Sequence, residues 1–291
     1  MTSDSSQNRL LAIIGHPIGH SLSPLLHTTA LRALNLPFRY EAVDIPPSRL
    51  KEELHRLVEA GLGGFNVTIP HKQSIIPFLH SVDDRAQALG AVNTVVVDHG
   101  RLTGTNTDVD GVVKTLIPFA DRIRDTDVLL LGAGGGARSV VYALLTEFHP
   151  RTIHIVSWTA GRGETLCHDL QPPGPKHRLR VHSFEPPSIQ SLLETVTLIV
   201  NATPVGMAPA VEKSPVDPGA RFSSRHVVMD LISNPLETTL LRHAAGQGAA
   251  TVGGLEMLIG QAERAFQLFT GHSLPVDLVR TTLRNHLTRT T

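Results

Sequence analysis

Four short stretches of this 291-residue chain carry residue types that could do chemistry together. The first is Gly132-Ala133-Gly134-Gly135-Gly136-Ala137, which follows the apolar run Val128 to Leu131 and leads into a helical pattern from Val140 to Leu145. Glycines in a strand-to-helix turn let the backbone approach a pyrophosphate and aim amide N–H groups at it from a helix N-terminus. The motif therefore points to a dinucleotide, with an ordinary tight turn as the alternative. The second stretch is Asn66-Val67-Thr68-Ile69-Pro70-His71-Lys72. A strand from Gly64 to Ile69 would place Asn66 and Thr68 on one face. Pro70 would end it, leaving Lys72 near the C-terminal edge where open α/β sheets bind ligands. His71 is expected to be exposed, and on spacing alone Lys72 also fits a solvated lysine beside turn formers. In the third, Asn106-Thr107-Asp108, the acid stands between a strand and a helix and by itself reads as an N-cap. The fourth, Ser21-Leu22-Ser23-Pro24, sets two hydroxyls at a helix start. Hydroxyls, free amides and the helix dipole can hold a carboxylate without arginine, unless Ser23 simply caps the helix.

Other chemistries are poorly supplied. Sixteen histidines raise the question of a metal, but Pro17 and Gly19 keep His16 and His20 off one helical face, His27 completes no pattern with them, and no His-Glu-x-x-His occurs. No metal is expected. The single cysteine, Cys167, excludes an intramolecular disulfide and suits a reducing compartment; no motif around it suggests a nucleophile. Lys plus Arg and Asp plus Glu balance at 26 each, which argues for small-molecule partners rather than nucleic acid. Nothing approaches a membrane span, and residues 1–9 are polar, so a cytoplasmic protein is expected. A homodimer is compatible with the sequence and not required by it.

The elements that must position these residues alternate between short apolar runs and longer amphipathic stretches. This is the pattern of an α/β fold with a largely parallel sheet. Strands are expected at Leu10 to Gly15, Phe38 to Asp44, Gly64 to Ile69, Val92 to Asp98 and Arg101 to Thr105. Helices are expected from Ser23 to about Leu34, from Leu50 to Ala60 with Gly61 as the stop, and from Asp108 to about Leu116. Pro118 to Thr126 is polar and broken, as at an entry into a second domain. There the strands fit Val128 to Leu131, Thr152 to Val156, Leu179 to His182, Thr197 to Val200 and Val227 to Leu231. Gln171 to His177 and Val205 to Gly219 read as surface loops. Helical periodicity returns at Gly254 to Thr270 and Val276 to Leu287. At the end of the second strand of this domain, where an acid would hold the ribose diol of an unphosphorylated cofactor, the chain reads Ser157-Trp158-Thr159, with Arg162 close behind. The absence of an acid tilts the expectation toward the 2′-phosphorylated cofactor. Trp158 is a candidate to stack on adenine, or else to pack in its own domain.

Taken together, the blocks resemble the shikimate dehydrogenase family over nearly the whole chain. They include Gly15 to Pro24, Asn66 to Lys72, Gly90-Ala91-Val92-Asn93-Thr94, Asn106-Thr107-Asp108, Asn201-Ala202-Thr203-Pro204-Val205-Gly206-Met207 and Gly254 to Gln261. The resemblance implies two α/β domains with a cleft between them, residues 1–107 plus 255–291 for the substrate and a Rossmann-like 108–254 for the dinucleotide. It implies NADPH-dependent reduction of 3-dehydroshikimate to shikimate, NAD being the less expected cofactor. Lys72 would donate the proton, and Asp108 would orient it and accept a ring hydroxyl. Asn66, Asn93 and Gln261 would hold ring hydroxyls, and Ser21, Ser23 and Thr68 would face the carboxylate. Gly132, Gly134, Gly135, Gly136, Ala137, Thr159, Arg162, Thr203, Leu231 and Gly254 would meet the cofactor.

Three departures stand out. Ser157-Trp158-Thr159 replaces the family's Asn-Arg-Thr, Ser233 stands where a tyrosine usually assists the carboxylate, and Thr28 replaces an asparagine. The competing readings are an NAD-preferring quinate or shikimate dehydrogenase, a divergent relative acting on another cyclic hydroxy acid, and a non-catalytic sensor on the same fold. A sensor would need neither Lys72 nor Asp108.

Overall fold

The computed structural model describes residues 9–159, 161–171, 179–183 and 186–290. The chain divides into two compact units, Met1–Thr107 with Gln261–His286 and Asp108–Gly260 with Leu287–Thr291.

In the first unit, β1 (Arg9–Gly15), α1 (Ser23–Ala33), β2 (Phe38–Asp44), α2 (Leu50–Glu59), β3 (Leu62–Val67), a single turn α3 (His71–Ser74), β4 (Ser81–Val82), α4 (Asp84–Leu89), β5 (Thr94–Asp98) and β6 (Arg101–Thr105) follow in order. Their sheet runs β2-β1-β3-β5-β6-β4. Strands β1, β2 and β3 pair in parallel, whereas β5 is antiparallel to both β3 and β6. With β4 and β6 also parallel, three of the five pairings among the described residues are parallel and two antiparallel, so the sheet is mixed where a largely parallel one was expected. The last six residues of β1 and all six of β3 are buried, as strands covered on both faces require. Between them Gly15 has no room for a side chain: a Cβ there would lie 2.5 Å from Thr68 Cγ2 and 2.9 Å from the Ile69 carbonyl oxygen. That absence lets the 68–70 turn fold over the end of β1, with the His16 N–H donating to Ile69 O at 2.9 Å.

Strand β3 ends at Val67, so Thr68 lies beyond the strand and does not share its face with Asn66 through strand periodicity. Ser23 is not a cap either. It is already helical, the N-cap position falls on Leu22, and the Ser21 hydroxyl accepts the Ser23 N–H at 3.3 Å.

The second unit opens with α5 (Asp108–Leu116) and α6 (Ala120–Ile123), which replaces part of the expected break after Pro118. It continues through β7 (Asp127–Leu131), α7 (Gly135–Ala143), β8 (Thr152–Ser157), α8 (Arg162–Leu170), β9 (Leu179–Ser183), α9 (Pro186–Leu193), β10 (Val196–Asn201), β11 (Val227–Asp230), α10 (Thr239–Gly246) and β12 (Ala250–Val252). The sheet order is β12-β11-β10-β7-β8-β9, and every pairing is parallel. Its core strand β7 is fully apolar after Asp127 because helices cover both faces. The order reverses at β7, and ligands of doubly wound sheets bind outside the strand ends at such a reversal. Residues 205–219 form turns without regular structure, as expected; of the other expected loop, 172–177 lies outside the described residues. The chain ends with α11 (Gly254–Thr270), whose residues from Gln261 onward belong to the first unit, and α12 (Val276–Thr290). Among the described residues no helix is long and apolar enough to cross a membrane.

Candidate active site

The first unit brings three of the six expected substrate residues, Asn66, Asn93 and Gln261, into one hydrogen-bonded chain. Tyr40, from β2, donates its hydroxyl to Asn66 Oδ1 at 2.7 Å, and Ser23 lies close enough to the same phenol to offset part of the burial that raises its pKa. Asn66 Nδ2 donates to Thr94 Oγ1 at 3.0 Å, and Thr94 Oγ1 to Asn93 Oδ1 at 3.0 Å. The Thr107 N–H donates to Asn93 Oδ1 at 2.7 Å, Asn93 Nδ2 returns a bond to Thr107 Oγ1 at 3.1 Å, and the Thr107 hydroxyl reaches Gln261 Oε1 at 3.4 Å. Ser23, Asn66, Asn93 and Gln261 are all buried, and each holds at least one internal partner. Their remaining donors and acceptors are thereby fixed in direction before any ligand arrives, which removes ordering cost from binding. Tyr40, Thr94 and Thr107 carry the chain yet were not among the expected ligands. Only Thr94 and Thr107 had a sequence signal, as neighbours in the Asn93 and Asp108 blocks.

Lys72 is half-buried in α3 and its carbonyl accepts the Val92 N–H at 2.8 Å. His71, expected on the surface, is instead fully buried, with Nε2 2.6 Å from the Ile45 carbonyl oxygen. Turn residues are usually exposed, but this turn folds back beneath the end of β2. Asp108 is buried at the first helical position of α5, after the cap position rather than in it, and the preceding turn is tied down by Asn106 Nδ2 donating to Ala91 O at 3.0 Å. It opens the second unit, whereas Lys72 lies in the first.

Behind the substrate chain, His27 is fully buried and stacks on Tyr40 with ring centroids 4.2 Å apart and planes 11° apart. Phe266 and Phe269 flank it at 6.0 and 6.3 Å. Burial lowers its pKa from 6.5 to about 3. The folded chain therefore keeps His27 neutral where the unfolded chain takes up a proton, so its contribution to stability is complete above pH 6.5 and is lost as pH falls toward 3. His27→Phe should keep the stack and flatten the acid side of the stability profile by up to one proton, about 1.4 kcal/mol per pH unit. Chemical denaturation of both proteins between about pH 6 and pH 4 checks this; parallel curves would refute it.

The glycine turn lies wholly in the second unit. Gly132 adopts φ +108° and a Cβ there would stand 2.9 Å from Ala202 O, so only glycine fits. Gly134 is the N-cap of α7 with no side-chain cap, a Cβ on it would meet nothing within 4 Å, and Gly135 begins the helix. The first-turn amides of α7 are thus offered to an anion. A Cβ on Gly136 would lie 3.0 Å from Leu231 Cδ2, one on Gly254 would overlap the Leu231 carbonyl, and Ala137 is buried. Thr203 is anchored by Asn201, whose Oδ1 accepts both the Thr203 N–H at 3.0 Å and its hydroxyl at 2.6 Å. This open, uncapped cradle suits a pyrophosphate. Arg162 is exposed as the first residue of α8, its N–H bonded to Thr159 O at 3.2 Å. Trp158 is half exposed and lines a recess of about 280 Å³ with Ile189, Leu193 and Val216.

Among the described residues no three His, Cys, Asp or Glu side chains gather as a metal site. His16 pairs with Asp44 at 3.1 Å. Burial pushes the Cys167 thiol up to about 11, away from a reactive thiolate.

A preorganised polar chain with a nearby lysine on one α/β unit, and a parallel sheet with an uncapped glycine turn on another, define a two-domain, nicotinamide-dependent oxidoreductase. Residues 13–95 match the shikimate dehydrogenase substrate-binding domain and residues 254–284 the shikimate 5′-dehydrogenase C-terminal domain. A shikimate dehydrogenase (NADP(+)) of Salinibacter ruber is 42% identical over 282 residues, 95% of this chain and 97% of its own. A solved shikimate dehydrogenase in complex with NADP+ superposes with a TM-score of 0.89 at 34% identity, covering 97% of this chain and 96% of that one. The shikimate 5-dehydrogenase of Thermus thermophilus in complex with NADP(H) and shikimate gives 0.83 at 33% identity, covering 96% and 100%. The chain belongs to the shikimate dehydrogenase family.

Proposed function

We propose that the protein catalyses the NADPH-dependent, reversible reduction of 3-dehydroshikimate to shikimate in aromatic amino-acid synthesis. The observation that carries this reading is the hydrogen-bonded chain from Tyr40 through Asn66, Thr94, Asn93 and Thr107 to Gln261. Its amides and hydroxyls suit the alternating hydroxyls of a polyhydroxylated ring, and on this reading Ser21, Ser23 and Thr68 face the ring's carboxylate. Residues 1–107 plus 255–291 take the substrate, and 108–254 the dinucleotide.

NADPH, held in the glycine turn of the second unit, would supply a hydride for the ketone carbon. Charge then grows on the carbonyl oxygen, and the Lys72 ammonium gives it a proton in the same step. Asp108 accepts a hydrogen bond from a ring hydroxyl. Gly132, Gly134, Gly135, Gly136, Ala137, Thr203, Leu231 and Gly254 hold the dinucleotide backbone. Thr159 and Arg162 meet its 2′-phosphate, Arg162 replacing the arginine that the altered strand end lacks. We assign the protein to the cytoplasm, and a homodimer is compatible with this reading.

Initial rates of cofactor reduction with shikimate and quinate, each with NADP+ and NAD+, test the proposal. Shikimate with NADP+ should be preferred clearly. A preference for quinate or NAD+ would make Ser233 and Trp158 markers of changed specificity, and no rate with any pair would favour the sensor. In the same assay Arg162→Ala should raise KM for NADP+ about tenfold, the loss expected of a charged hydrogen bond, with little change for NAD+. Equal losses for both cofactors would contradict a phosphate contact.

A further inference from the structure

The residue before the proton donor is a buried histidine that the mechanism above does not use. Its backbone N–H donates to Thr68 O at 2.8 Å and its carbonyl accepts from the Ile75 N–H at 2.9 Å, so His71 is the pivot of the turn that presents Lys72. Its ring leaves that turn altogether and ends 2.6 Å from the carbonyl oxygen of Ile45, the residue that follows β2. A carbonyl only accepts, so the ring hydrogen in this bond sits on Nε2. Nδ1 is buried with no hydrogen-bond partner among the described residues, which leaves the Ile45 contact as the ring's single polar anchor. Ile45 is itself immobilised, its N–H donating to Gly15 O at 2.9 Å at the end of β1.

We infer that His71 is a positioning residue for the reaction: the Nε2–H to Ile45 bond clamps the 68–72 turn to the ends of β1 and β2 and so fixes where the Lys72 ammonium stands. A buried polar ring beside the reactive lysine has no packing advantage over leucine or phenylalanine, and a half-satisfied one costs stability. What the histidine offers instead is the direction of one hydrogen bond. Proton transfer is sensitive to such placement, since an error of about 1 Å in a reacting group can lower rates on the order of 10²-fold.

This inference rests on the proposed dehydrogenase reading, and the experiment separates the two. Steady-state rates with shikimate and NADP+ are measured for the wild-type chain, His71→Leu and His71→Gln, with thermal unfolding of each as a control. Glutamine can set its Nε2 where the imidazole Nε2 stands and keep the donor; leucine fills the space without it. The expected result is a kcat for His71→Leu lower by about tenfold or more, KM for shikimate within about threefold, and recovery to near wild-type kcat in His71→Gln. A wild-type chain without activity would overturn the dehydrogenase reading itself. An active wild type with unchanged kcat in a folded His71→Leu, or a loss in KM alone, would overturn the clamp. Should the leucine variant fail to fold, ¹⁵N spectra of the wild-type histidines decide. A hydrogen on Nε2 of His71 with Nδ1 bare supports the inference, and the reverse tautomer refutes it.

Discussion

Replacing Lys72 by alanine is expected to lower kcat for shikimate oxidation about 10²–10⁴-fold, the range of a positioned general acid or base. On the proposed mechanism negative charge would grow on the carbonyl oxygen in the reducing direction, and without a positioned donor its proton would have to come from water. On that mechanism the same amine would take the proton from the hydroxyl in the oxidising direction. Lys72 reaches this position because β3 stops at Val67, the Thr68 N–H donates to Ile14 O at 3.0 Å, and the Lys72 carbonyl is held by Val92. The amides of Asn66 and Asn93, proposed to hold the substrate, stay tied to their own partners in the variant, so KM for shikimate should rise much less than kcat falls. The glycine turn belongs to the other compact unit, so the affinity for NADP+, measured by fluorescence titration, should be unchanged. A variant with near-normal turnover would remove Lys72 from the chemistry, and one that loses NADP+ binding as well would point to misfolding.

Much of this site was legible because local chemistry announces it. Gly132 must be glycine to reach φ +108°, and Pro70 and Asp108 stand where elements stop and start, so the motifs around them could be placed on strand ends and helix starts. What the sequence did not reveal depends on pairing between distant segments. Tyr40 alternates with exposed neighbours in β2 and reads as an ordinary half-buried strand residue. Its bond to Asn66 exists only because β2 and β3 flank β1 in parallel register. The expected exposure of His71 failed for the same reason: its partner Ile45 lies 26 residues away. The mixed character of the first sheet, by contrast, was implicit in the sequence. Two residues, His99 and Gly100, link β5 to β6, both with positive φ, and a loop this short can only join antiparallel strands.

The second large effect concerns an acid that no motif singled out, Asp230 at the end of β11. Its Oδ1 accepts Asn201 Nδ2 at 3.0 Å and the Ile232 N–H at 3.1 Å, and its Oδ2 accepts the Thr238 hydroxyl at 2.7 Å. Through Asn201 it supports Thr203; through Ile232 it shapes the segment that follows Leu231; through Thr238 it steadies the cap of α10. Three backbone segments, two of them proposed to meet the cofactor, therefore hang on one fully buried carboxyl. Asp230→Ala leaves all three donors without their acceptor, and at roughly 1–3 kcal/mol for each buried orphan the loss should be on the order of 4 kcal/mol. Asp230→Asn keeps an acceptor oxygen for Asn201 and Ile232 and should cost clearly less. The pH signature differs in sign from that of His27. Burial raises the Asp230 pKa above 3.8, so the folded chain holds this proton more tightly than the unfolded chain does. Its contribution is therefore present at acid pH and is lost as pH rises through the folded value, a trend both variants should lack. Urea denaturation of the three proteins measures the stabilities, and KM for NADP+ in folded Asp230→Asn reports whether the loops keep their shape. An alanine variant within about 1 kcal/mol of wild type would mean that water replaces the carboxylate at all three donors, and the cofactor loops would then have to be held by the β10–β11 pairing alone.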